Sequence, residues 1–98
     1  MKQEPVDPTV SAAIEATIRE AMTPFGYRST DIRPGLDHDG DPVLFVHVAY
    51  DDSKVPLDPK VLRELNHAVR RTAWQHGEER FPHIRHHFDP HRAVANVA

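Results

Sequence analysis

Apolar residues recur at helical spacing near the start of the chain, at Val10, Ile14, Ile18 and Met22 or Ala21. That period places them on one face of a helix. Asp7-Pro8 ahead of them offers a capping side chain and a proline suited to the first turn. Pro24 and Gly26 stop the run, so the pattern predicts a helix over residues 8–22. The period then changes to two. Tyr27 to Arg33 mixes β-branched and polar residues, and Val43 to Tyr50 reads as the strongest strand of the chain. Between them, Pro34-Gly35-Leu36 and the polar run from Asp37 to Pro42 predict a turn, with Asp39-Gly40 as its hairpin signal. Asp58-Pro59 repeats the cap-plus-proline pair. Leu62, Leu65, Val69, Thr72 and Ala73 then trace the apolar line of a second helix over about residues 59–76, ended by Gly77. A last short strand is expected over His83–Asp89, closed by Pro90.

The order α-β-β-α-β predicts an α+β fold, a two-layer sandwich with both helices on one face of a three-stranded sheet. The other face stays open, for solvent or for a partner. Residues 1–7 are expected as a linker, 8–91 as one domain and 92–98 as a tail that frays. Alternation then sorts the side chains. Leu44, Val46, Val48 and Tyr50 point one way, and Val43, Phe45, His47 and Ala49 the other. Ile84, His86 and Phe88 share one face, and His83, Arg85, His87 and Asp89 the opposite one. On the second helix, at about 100° per residue from Leu62, His67 falls at about 140° and Trp74 at about 120°. Both lie off the core stripe, and Trp74 reads as an aromatic that faces a partner.

Composition narrows the chemistry. Ninety-eight residues make one domain, and about 65% of the unfolded surface is buried on folding. That suffices for a thin core but not for a deep catalytic cavity. The absence of cysteine excludes disulfides, iron–sulfur clusters, thiolate zinc sites and cysteine nucleophiles. Twelve Lys and Arg against fifteen Asp and Glu give a net charge of −3, which argues against binding driven by nucleic-acid phosphates. No apolar run reaches membrane-spanning length, and Met1-Lys2-Gln3-Glu4 is not a signal peptide.

Eight histidines stand out, five of them from His76 onward. Imidazoles and carboxylates without thiolates suit a borderline divalent metal, zinc best of all. His87 and Asp89, two apart on one strand, can reach a single ion. Asp37-His38-Asp39 is first of all turn chemistry, with His38 and Asp39 as secondary cation ligands. His83 and His91 flank the last strand as rim ligands. His86, between Ile84 and Phe88, reads as a core histidine before a ligand. His76 reads as a helix C-terminal residue favoured by the macrodipole, and Arg70-Arg71 as a solvated helix face.

From Ile14 to Pro90 the chain resembles the cytoplasmic C-terminal domain of cation diffusion facilitator transporters. Asp31-Ile32-Arg33 resembles the family's Asp-Leu-Arg. Leu44-Phe45-Val46-His47-Val48 resembles its histidine-bearing strand, and Asp58-Pro59 stands before the second helix. His67 lies fourteen residues before Phe81-Pro82. His87-Phe88-Asp89-Pro90 resembles the family's His-x-Asp-Pro. Thr30 stands where the family often has a further histidine, and the stretch from Pro82 to His87 is shorter than the family pattern. The resemblance implies a metallochaperone-like, ferredoxin-related fold and a V-shaped homodimer. It implies zinc, or a similar divalent cation, held by His47, His67, His87 and Asp89. It further implies a non-enzymatic domain that closes on metal, signals to the transmembrane part of the same transporter, and works at the cytoplasmic face of a bacterial inner membrane. The same element order also resembles KH-type ribosome-maturation factors that bind RNA, but the chain has no Gly-x-x-Gly loop and is net acidic. A small hydrolytic metalloenzyme is a third reading, for which no helper motif is present.

Overall fold

The computed structural model describes residues 4–51 and 56–88. Helix α1 spans Pro8–Met22. The Asp7 carboxylate caps it by accepting from the Thr9 N–H at 2.7 Å, and Pro8 sits in the first turn, where its missing N–H costs nothing. Val10, Ile14, Ile18 and Met22 are its buried line. A single 3₁₀ turn, Thr23–Phe25, follows and ends at Gly26, whose φ of 86° is left-handed. There the chain turns out of the helix into strand β1, Tyr27–Leu36.

Strand β1 is longer than its composition predicts. Pro34, Gly35 and Leu36, expected in the turn, continue the ladder opposite Leu44, Val43 and Pro42. Two physical reasons correct the expectation. β1 lies at an edge of the sheet, where a proline can be accommodated on the unpaired rim. Gly35 leaves the space that the Phe45 ring fills, since a Cβ there would collide with that ring. The turn is therefore confined to the residues between Leu36 and Pro42, with Gly40 at φ 83°.

Strand β2, Pro42–Tyr50, runs antiparallel to β1 and parallel to strand β3, Phe81–Phe88. The sheet order is β1-β2-β3. β3 thus starts two residues earlier than expected, because Phe81 and Pro82 pair with Val43 and Leu44. Helix α2, Pro59–Gln75, is the crossover that parallel strands require. Asp58 caps it through the Lys60 N–H at 2.7 Å.

The result is a small α+β fold of two helices and a mixed three-stranded sheet. Leu44, Val46, Val48 and Tyr50 join Val10, Ile14, Ile18, Met22, Leu65, Val69 and Ala73 in one core. A Thr17–Thr72 hydroxyl contact of 2.9 Å links the two helices. Residues at the chain start also touch the fold: Val6 packs against the core, and Arg80 donates to the Glu4 carbonyl at 2.7 Å. Val43 points away from this core as alternation requires, yet it is only 2% exposed. No helix among the described residues is long and apolar enough to cross a membrane.

Candidate functional site

The open face of the sheet carries the histidine chemistry. His47 stands mid-way along β2, with Asp31 of β1 directly opposite and Arg85 of β3 on its other flank. His87 lies further along β3, opposite Ala49. Its ring reaches diagonally across the ladder, and His47 Nδ1 and His87 Nε2 come within 2.8 Å. The rings are nearly parallel, with centroids 5.0 Å apart. One nitrogen must donate and the other accept, so at least one ring presents a lone pair to the other. His47 is half-buried and His87 exposed, so the pair can be reached from solvent.

Around this pair the face is a patchwork. Asp31 has the carboxylate nearest in register to His47, but it is turned toward the Arg33 guanidinium at 2.7 Å. Arg85 lies over the Phe45 ring, 5.3 Å from its centroid. His83 packs between Phe45 and Phe81, with centroids 6.0 and 4.9 Å away.

The other candidates sort by place. His86 faces the core, as alternation predicts, and its Nδ1 meets the Tyr50 hydroxyl at 2.7 Å. Burial, and then the neighbouring His87, hold its pKa below the ordinary histidine value. It is part of the packing and is turned away from His47. His67 lies on α2, on the helical side of the sheet, and lines grooves with Arg70, Phe81 and Pro82. Within one chain His67 does not come within single-ion reach of His47 and His87, and any role beside them would have to be played from a second copy. Asp89 and His91 lie outside the described residues. His76 caps α2, its Nδ1 2.9 Å from the Thr72 carbonyl.

The hairpin turn gathers Asp37, Asp39 and Asp41, whose carboxylates lie within 4.8 Å of one another. Its geometry is explained by backbone bonding. The Asp37 carboxylate accepts from the N–H groups of Asp39 and Asp41, both at 2.9 Å. The Asp41 N–H, more than that of Asp39, holds the Asp37 pKa below the usual carboxylate value. His38 meets Asp39 at 3.5 Å, fully on the surface. These three carboxylates are the only acidic or histidine triad among the described residues close enough to hold one ion.

Sequence reasoning missed Asp31 as a neighbour of His47. Strand register, which pairs them, was the missing signal. It also missed the ion pair of Glu78 and Arg80, whose two bonds of 2.8 Å are largely buried. The Arg80 side chain lowers the Glu78 pKa, and Glu78 raises that of Arg80. No protein-family model matches the chain, and no characterised protein or solved structure is significantly similar to it.

Proposed function

We propose that this domain is a metal-sensing dimerisation module, in which a divalent cation, with zinc the best suited, is held between two copies by His47 and His87 of each. The reading draws on the resemblance to the cytoplasmic domain of cation diffusion facilitator transporters, with its ferredoxin-related fold and V-shaped homodimer. The observation that carries it is the 2.8 Å approach of two imidazole nitrogens on an open sheet face.

A tetrahedral zinc ion with Zn–N bonds of about 2.0–2.1 Å sets its ligand nitrogens about 3.3 Å apart. The pair therefore needs to part by only about half an ångström from its 2.8 Å spacing. Two imidazoles per chain supply half of a four-coordinate site. A second chain related by a two-fold axis supplies the other half, as an isologous interface does. Asp31 stands beside His47 as a carboxylate that could replace or support a ligand once released from Arg33. His67, on the helical layer, stands outside this four-ligand set. In a transporter, closure of the two copies on metal would be passed to the attached transmembrane part. A ligand shifts such an equilibrium only by its preference for the closed state.

Titration with zinc tests this directly. The expected result is one ion per two chains, a dimer mass in sedimentation, and a higher melting temperature than with chelator. Free zinc at a hundred times its dissociation constant adds about 2.7 kcal/mol, or roughly 10–20 °C in a domain of this size. His87→Ala abolishes the response, while His86→Ala lowers stability but leaves zinc stoichiometry intact. Equal melting in zinc and in chelator refutes the reading.

A further inference from the structure

We propose that the furrow between α2 and the outer rim of β3 is a docking site for an extended acidic segment of a partner protein. It lies on the helical side of the molecule, away from the His47–His87 pair, and does not depend on metal.

Four exposed side chains form one stripe along α2. Arg63, His67, Arg70 and Trp74 are spaced four, three and four residues apart. At about 100° per residue they fall within a sector of about 60°. Two grooves of about 460 and 360 Å³ run along this stripe and share His67, Arg70, Phe81 and Pro82, so they form one continuous furrow. Its opposite wall is the start of β3. That strand is last in the sheet order, and no described strand pairs with its outer side. Its outward N–H and C=O groups are a template for an added strand.

Charge selects the occupant. The whole chain carries −3, yet this furrow gathers Arg63, Arg70 and Arg71. None of the three forms an ion pair among the described residues. Two acids line one end: Glu78 is bonded to Arg80, and the exposed Glu79 offsets one charge, which still leaves the arginines in excess. Arg63 and Arg70 stand about 10.5 Å apart along the helix axis. Acidic residues at alternate positions of a strand lie about 6.7 Å apart, and twice that at the next repeat, within reach of flexible guanidinium arms. Trp74, 68% exposed, offers an apolar platform beside the charges.

A single-stranded nucleic acid would need several free aromatic faces. Among the described residues the furrow has Trp74 and Phe81, and Phe81, 45% exposed, already has the Arg70 guanidinium 4.7 Å from its centroid and His83 against it. An acidic peptide uses the arginines and the strand rim together, so the observations favour it.

Trp74 is the one tryptophan of the chain, which makes its emission a direct reporter. The probe is a short peptide of alternating glutamate and valine, with a lysine–valine peptide and oligothymidylate as controls. The acidic peptide should shift Trp74 emission saturably, and the lysine peptide should not. Arg63→Glu with Arg70→Glu should weaken binding by about tenfold or more, as repulsion replaces attraction. Arg19→Glu with Arg28→Glu changes net charge equally, away from the furrow, and should leave binding within about twofold. If circular dichroism shows the furrow double variant unfolded, Arg70→Gln is read in its place, with about threefold weakening expected. No saturable response to the acidic peptide overturns the proposal. So does undiminished binding in the furrow variant, or tighter binding of oligothymidylate than of the peptide.

Discussion

Replacing Tyr50 by phenylalanine removes one oxygen from the deepest polar contact of the sheet's covered face. Tyr50 is 1% exposed, and its hydroxyl lies 2.7 Å from His86 Nδ1. The ring itself stacks on Phe88 at a centroid distance of 5.1 Å, and phenylalanine keeps that packing. What is lost is the hydrogen bond, together with the satisfaction of a half-buried imidazole nitrogen. A neutral hydrogen bond is worth about 0.5–1.5 kcal/mol, and stranding a buried acceptor costs about 1–3 kcal/mol. Water can reach a half-buried ring in part, so about 1–1.5 kcal/mol is expected. In a domain of this size that is a fall of roughly 4–12 °C in melting temperature. The pH dependence follows from the same residue. Burial and His87 lower the folded pKa of His86 below 6.5, so the unfolded chain binds the proton more readily. Stability is then fully present above about pH 6.5 and falls as pH drops toward the folded value. His86→Gln removes this part of the slope. Thermal melts of both variants against pH decide the matter. A drop of less than about 2 °C for Tyr50→Phe, or an unchanged slope for His86→Gln, refutes the account.

Three further expectations rest on single contacts. Glu78→Gln leaves Arg80 with a weaker, neutral partner and should cost about 1.5 kcal/mol near neutral pH in urea unfolding. Because Arg80 lowers the Glu78 pKa, the wild-type advantage is present above about pH 4.5 and fades as pH falls through the lowered value, so the two curves converge in acid. Gly35→Ala drives a methyl group into the Phe45 ring, which must swing off Arg85, and should cost about 1 kcal/mol as a lower urea midpoint. Asp58→Ala removes the acceptor of the Lys60 N–H and should cost about 1 kcal/mol, seen as a lower melting temperature with α2 otherwise intact.

Local signals were legible wherever the chemistry is local. The four-residue spacing from Val10 to Met22 and the Asp7-Pro8 pair placed α1 at its observed bounds. Alternation put His47 and His87 on the open face and His86 against the core, where Tyr50 holds it. Pro34-Gly35 misled because a proline and a glycine look alike in a turn and on an edge strand. Only the Phe45 ring across the ladder distinguishes the two. Register was not legible. Nothing along the chain says that Asp31 stands opposite His47, or that His87 falls opposite Ala49 and leans back to its neighbour. For the same reason nothing along the chain says that His67 stays out of single-ion reach of the pair within one copy. Arg70 and Arg71 read as ordinary solvated charge until β3 supplied a second wall beside them.

β3 reaches its place only after the whole of α2 has been laid down, and a single parallel ladder holds it there. β1, the other edge, is tied to β2 by a short hairpin, whereas β3 joins β2 only through the long α2 crossover. His47 and His87 sit on either side of that seam. Any bridge made between them works as a staple across that joint, and amide exchange along β3 would slow.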